Sequence, residues 1–169
     1  ITVCPRGPVR LGPTPTGRPR FAWGDSPTDA YLTAVVAHAC AGYHVHQERL
    51  YFVGIGEGAK IAYRFGLSLP GAVAGVVSLN GELPAERRKG TRGLRVFVGH
   101  GVSNPVVPVA VARRSSRQLV AIGAKVRFQT YPTTDGVDAD MLRDVNRWIM
   151  NTVNAAPELL SKGLPQLPE

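Results

Sequence analysis

The chain has 169 residues, a mass of 18.1 kDa and a formal net charge of +8 at pH 7. That length suits one domain with its own core, and 44% hydrophobic with 19% charged residues excludes an acidic disordered chain. The excess of Lys and Arg makes anionic partners worth weighing, and no apolar run approaches the ~20 residues of a membrane span.

The first residues, with Pro5 and Arg6, carry no signal-peptide apolar region. The chain opens on Ile1 rather than Met, which reads as a processed, truncated or incompletely identified chain. Cys4 and Cys40 make no disulfide framework. Both read as small buried hydrophobes, and a reducing, cytoplasmic setting is the expectation.

Ile1–Cys4 is predicted as a short buried strand stopped by Pro5. Residues 5–20 are rich in Pro, Gly and Arg and are expected to form a long loop. Asp25 or Ser26 can cap a helix, with Pro27 in its first turn. Tyr31, Leu32, Val35, Val36 and Ala39 follow at helical spacing, and Gly42 ends the element. Leu50–Val53 is a β-type run that leads straight into Gly54-Ile55-Gly56-Glu57-Gly58.

Ala59–Leu67 is predicted as a helix ending before Pro70, and Gly75–Leu79 as a buried strand. Residues 80–95 form a polar connection with a basic run. Leu94–Val98 is a strand leading into Gly99-His100-Gly101. Val106–Ala121 is expected to be helical, opening at Pro108, with Arg113, Arg114 and Arg117 outward. Lys125–Tyr131 alternates like a half-exposed strand. A last helix is capped by Asp138 or Asp140, with Met141, Leu142, Val145, Trp148 and Ile149 on one face. The domain spans 1–155, and 156–169 form a Pro-punctuated tail. Strands alternating with helices imply an α/β fold with a mostly parallel sheet.

Strand, Gly-x-x-x-Gly, helix is the context of a nucleophile elbow. There a side chain sits on a strained strand-to-helix turn, and the next backbone N–H helps form an oxyanion hole. Here the nucleophile position is Gly56, and the next amide is that of Glu57.

Several blocks in order resemble the phospholipase/carboxylesterase branch of the α/β-hydrolases, which includes the acyl-protein thioesterases. Val3-Cys4-Pro5-Arg6-Gly7-Pro8 with Trp23 resembles its Pro-containing loop. Glu48–Gly54 resembles the strand into the elbow. Ala74–Leu79 with Leu83-Pro84 resembles the next strand and its exit. Gly99-His100-Gly101, Asn104 and Val107-Pro108 resemble the loop that carries the triad aspartate, and Tyr131-Pro132 the approach to the triad histidine. The resemblance covers residue 1 to about 150.

This resemblance implies an α/β-hydrolase fold. It places the serine at Gly56, the aspartate at Asn104 and the histidine at Asp135, so all three triad positions are changed. It also implies an earlier strand and a His-Gly-x-Gly loop that precede this chain's start. The N-terminal strands are therefore expected to be missing, with an earlier segment, a partner or an oligomer completing the sheet.

The expected function is a catalytically inactive structural, scaffolding or binding subunit. The alternative is an active carboxylic-ester or thioester hydrolase with relocated residues, and a third reading is an RNA-associated basic protein. No cofactor or metal is expected. Glu57 and Asp135 as a working carboxylate pair is a minor reading, since no further motif supports it. His38, His44 and His46 carry only a weak metal signal. His100 and Ser78 read as structural, and Ser103 as a loop serine without a base. Arg outnumbers Lys by 16 to 4. Arg87, Arg88, Lys89 and Arg92, with Arg113, Arg114 and Arg117, form the candidate interaction surface for an acidic protein or RNA. Sparse aromatics, 7% of the chain, disfavour base stacking.

Overall fold

A computed structural model describes residues 1–24, 28–46, 49–69, 73–85 and 93–154. The chain divides into two compact units, Ile1–Val45 and His46–Glu169.

In the first unit, β1 (Val9–Leu11) and β2 (Arg20–Ala22) form an antiparallel hairpin with Arg10 opposite Phe21. This corrects the expectation of a long loop over residues 5–20. The prolines do not forbid pairing because Pro8 precedes β1 and Pro13, Pro15 and Pro19 all fall in the connection, where no ladder donor is lost. The loop closes on Thr14, whose hydroxyl accepts the Arg18 amide at 3.0 Å. The Arg6 guanidinium lies 4.0 Å from the centre of the Phe21 ring.

The predicted Ile1–Cys4 strand does not form. Ile1 and Val3 are 76% and 48% exposed, and Cys4 is an exposed free thiol rather than a buried hydrophobe. A four-residue apolar run becomes a strand only if a neighbour pairs it, and none does among the described residues. Cys40 is partly buried on α1 (Thr28–Gly42). The α1 stripe of Leu32, Val35, Val36 and Ala39 is buried or half-buried as expected, but Tyr31 is exposed. The proposed caps Asp25, Ser26 and Pro27 lie outside the described residues.

The second unit is a four-stranded parallel sheet in the order β3-β4-β5-β6. Its strands are β3 (Tyr51–Ile55), β4 (Gly75–Leu79), β5 (Arg95–Gly101) and β6 (Lys125–Tyr131). β4 is buried along its whole length because it is central and covered on both faces, so its sequence is nearly all apolar instead of alternating.

Successive residues point to opposite faces and build two cores. Val76, Val96 and Val98 pack with Ala62, Tyr63 and Leu67 of α2 (Glu57–Ser68) and with Leu119 of α3 (Val109–Ala121). On the other face Val77, Leu79, Phe97 and Tyr131 pack against Met141, Val145 and Trp148 of α4 (Ala139–Asn154). Trp148 meets the Phe97 and Tyr51 rings at 5.8 and 6.0 Å between centroids. Asp138 is the α4 cap, its Oδ1 accepting the Met141 amide at 2.7 Å. Leu142 is 54% exposed and does not share the buried face, since one step past Met141 turns it about 100° away.

Candidate functional site

β3 runs into Gly56, which has φ +55 and ψ −118, and α2 begins at the next residue. This is a strand-to-helix elbow at positive φ, a sparsely populated backbone that costs an L-residue ~1–3 kcal/mol and glycine nothing comparable. The Gly56 amide donates to the Leu79 carbonyl at 2.8 Å, and its carbonyl accepts the Ala59 amide at 3.1 Å. A Cβ built at Gly56 meets nothing within 4 Å, so the turn is open on the side where a side chain would stand. Gly54 has the opposite surroundings. A Cβ there would collide with the Gly58 carbonyl, so this glycine is what lets strand and helix close.

The exits of β4, β5 and β6 gather beside the elbow. Asn80, just past β4, is 2% exposed and holds φ +55. Its Oδ1 accepts the Gly101 amide at 2.8 Å, while its Nδ2 donates to the carbonyls of Asp135 and Gly136 at 3.0 and 2.9 Å. The amides of Val102 and Ser103 donate to the carbonyls of Tyr131 and Thr133 at 2.9 and 3.1 Å. Gly56, Asn104 and Asp135 therefore stand at the same end of the sheet, outside the carboxyl ends of the strands, where open α/β sheets bind ligands.

Their chemistry is less promising than their placement. Gly56 offers no nucleophile. Asn104 is 6% exposed, and its Oδ1 accepts the amides of Val106 and Val107 at 2.9 Å each. That oxygen is committed to its own loop. The Asp135 side chain is exposed, and only its backbone carbonyl is tied down. Glu57 is exposed at the start of α2, where a negative charge is favoured. Ser103 is exposed with no hydrogen-bonded base among the described residues.

His100 is fully buried, with Nε2 2.7 Å from the Val107 carbonyl, so that nitrogen donates and the ring is part of the loop scaffold. Ser78 is likewise fully buried in β4. Among the described residues no three His, Cys, Asp or Glu side chains come together as a metal site, and no helix is long and apolar enough to cross a membrane.

Arg113, Arg114 and Arg117 are exposed on α3, as the helical spacing predicts. Arg87, Arg88, Lys89 and Arg92 lie outside the described residues. The residue that sequence reasoning missed is Asn80. The Asn80-Gly81 dipeptide marks a turn, but nothing local shows that the side chain crosses to two other loops.

A parallel sheet with helices on both faces and a glycine elbow at its carboxyl edge defines an α/β-hydrolase fold. The chain belongs to the phospholipase/carboxylesterase family, whose description matches residues 2–153. It is 32% identical over 101 residues to acyl-protein thioesterase 1 of Mycosarcoma maydis, covering 54% of this chain and 42% of that protein. It is 26% identical over 108 residues to acyl-protein thioesterase 1 of Debaryomyces hansenii, covering 60% of this chain and 47% of that protein. The chain thus spans less than half the length of these curated relatives.

Among solved structures, Arabidopsis thaliana SOBER1 superposes with a TM-score of 0.73 at 16% identity, over 88% of this chain and 82% of that one. The Bacillus cereus carboxylesterase superposes with a TM-score of 0.69 at 20% identity, over 87% and 73%. Both show the shared fold.

Proposed function

We propose that this chain is a catalytically inactive member of the phospholipase/carboxylesterase family that acts as a binding or scaffolding subunit. The observation that carries this reading is the elbow itself. The strained turn is present, but its residue is Gly56, with no hydroxyl or thiol to attack an ester. Covalent acyl transfer needs a nucleophile, a base and an orienting group acting as a unit. Asn104 spends its carboxamide oxygen on the amides of Val106 and Val107, and Asp135 replaces the base with an exposed acid. A protein partner or second copy is the expected neighbour, and a reducing, cytoplasmic setting suits the free thiols of Cys4 and Cys40.

The test is labelling of the purified chain with a fluorophosphonate probe, together with turnover of a nitrophenyl ester and a thioester. No stoichiometric labelling and no turnover above the buffer rate are expected. Turnover that survives Gly56→Ala, or specific labelling at any serine such as Ser103, establishes instead a hydrolase with relocated residues.

A further inference from the structure

We propose that the outer edge of β6 is a docking site for an acidic, extended peptide segment of a protein partner, added beside β6 as a further strand of the sheet. This builds on the binding-subunit reading and names the surface and the chemistry of what it binds.

β6 is the last strand of the sheet, and among the described residues no strand pairs with its outer side. A strand in that position presents a row of open N–H and C=O groups. Beside it runs a groove of about 500 Å³ whose wall and floor are Arg113, Ser116, Arg117 and Phe128. The Arg113 guanidinium sits 6.0 Å from the centre of the Phe128 ring. On the other face of the same strand Lys125 and Arg127 are exposed. Positive charge therefore flanks the edge from both faces of the sheet.

Among the described residues no acid forms an ion pair with that charge. α3 and β6 contain no acidic residue. The ion pairs between described residues include Lys60 with Glu82, Arg143 with Asp140 and Arg147 with Asp144, none of them on α3 or β6. Asp144 also accepts the Tyr131 hydroxyl at 3.0 Å, so this acid of α4 is committed to Tyr131 and Arg147.

Lysine and arginine on an edge strand normally serve to prevent pairing between copies. A second copy of this chain would bring the same cations to the same edge. An acidic strand meets complementary charge on both faces and satisfies the open backbone groups. Alternate side chains would reach the Phe128 groove, as in other strand additions. A nucleic acid would use the charge but not the backbone ladder, and the one ring lining the groove among the described residues, Phe128, is partly buried.

The experiment uses the full chain and a fluorescent twelve-residue peptide of alternating Glu and Val. Binding is read by anisotropy, and backbone protection of β6 by hydrogen exchange. The controls are the same peptide with prolines at two central valines, an alternating Lys and Val peptide, and a twelve-nucleotide oligouridine. Saturable binding of the Glu-Val peptide with slowed exchange in β6 is expected. The proline and lysine peptides should bind at least about tenfold more weakly.

The double variant Arg117→Gln/Arg127→Gln should weaken binding by about tenfold. Arg143→Gln/Arg147→Gln, an equal charge loss on α4, should leave it unchanged. Matching urea midpoints show that both variants are folded. Equal binding of the proline peptide, equal loss in the α4 variant, or tighter binding of oligouridine overturns the proposal. So does an absence of binding. None of these outcomes bears on the elbow, which the probe and turnover assays read separately.

Discussion

Asn80 and Asp135 are joined across the carboxyl edge of the sheet, the Asn80 Nδ2 donating to the Asp135 carbonyl at 3.0 Å. Through the same side chain the exit of β4 holds the exits of β5 and β6. The loop bearing Asp135 is thus fixed by its backbone, while its acid side chain stays in solvent. Asn80→Ala removes all three hydrogen bonds and leaves the buried Gly101 amide without its acceptor. The expected cost is about 2–4 kcal/mol, with faster hydrogen exchange in residues 133–136. Chemical denaturation that shows a loss below about 0.5 kcal/mol would remove Asn80 from this role.

The elbow invites a serine. Because a Cβ at Gly56 meets nothing within 4 Å, Gly56→Ser should fold, at a cost of about 1–3 kcal/mol from the positive-φ backbone. It should remain unlabelled by fluorophosphonate, since the position that the family resemblance assigns to the histidine base holds Asp135. The triple variant Gly56→Ser/Asn104→Asp/Asp135→His supplies nucleophile, orienter and base at the positions the family resemblance assigns. Labelling in the triple variant but not the single one is the expected result. Labelling in neither would mean that the loops, and not only the side chains, have left the catalytic arrangement. Gly54→Ala makes the contrasting case, because its methyl would run into the Gly58 carbonyl. It should destabilise the fold by about 1–3 kcal/mol or more.

Trp148 anchors α4 between the Phe97 and Tyr51 rings and is 7% exposed. Trp148→Ala is expected to cost about 3–5 kcal/mol by opening a cavity against β4 and β5. Trp148→Phe should recover most of that loss. If both variants unfold at the wild-type urea concentration, α4 is not part of the cooperative core.

Two tyrosines predict alkaline sensitivity. Burial pushes the Tyr63 phenol well above its usual range, with the Ser78 hydroxyl opposing. Burial does the same for Tyr131, reinforced by its hydrogen bond to Asp144 and that carboxylate's charge. An unfolded tyrosine ionises near ~10. The folded protein keeps its protons where the unfolded chain has begun to lose them. The stabilisation is therefore complete below about pH 10 and declines as pH rises above it. Urea midpoints should fall on that side, and Tyr63→Phe should flatten part of the slope. A difference between wild type and Tyr63→Phe that stays constant up to about pH 11 would contradict this assignment.

The strands and helices of the second unit were legible because each carries its own local signal. Gly75–Leu79 is a short apolar run bounded by turns, and Val109–Ala121 puts Ala112, Ser115, Ser116 and Leu119 on one buried face. The elbow was legible as well, since Gly54, Gly56 and Gly58 stand where a strand becomes a helix. Local signals failed at Ile1–Cys4, whose apolar run has no strand to pair with among the described residues, and at residues 5–20, whose prolines obscured a hairpin. In both places the outcome depended on a pairing partner, which residue type alone does not specify.

Sequence by itself determined the α/β class, the glycine at the elbow and the absence of serine, aspartate and histidine at the positions the resemblance assigns. Those are properties of single residues and of spacing along the chain. Tertiary structure decided that Asn80 binds the exits of three strands, that Asn104 turns its oxygen into its own loop, and that α3 and β6 bring four cations to an open sheet edge. The physical reason is that contacts between elements wait on the fold. The Asn80 bonds join residues 21 to 56 positions apart, and the cations of α3 and β6 meet only once the sheet has set the register of its strands.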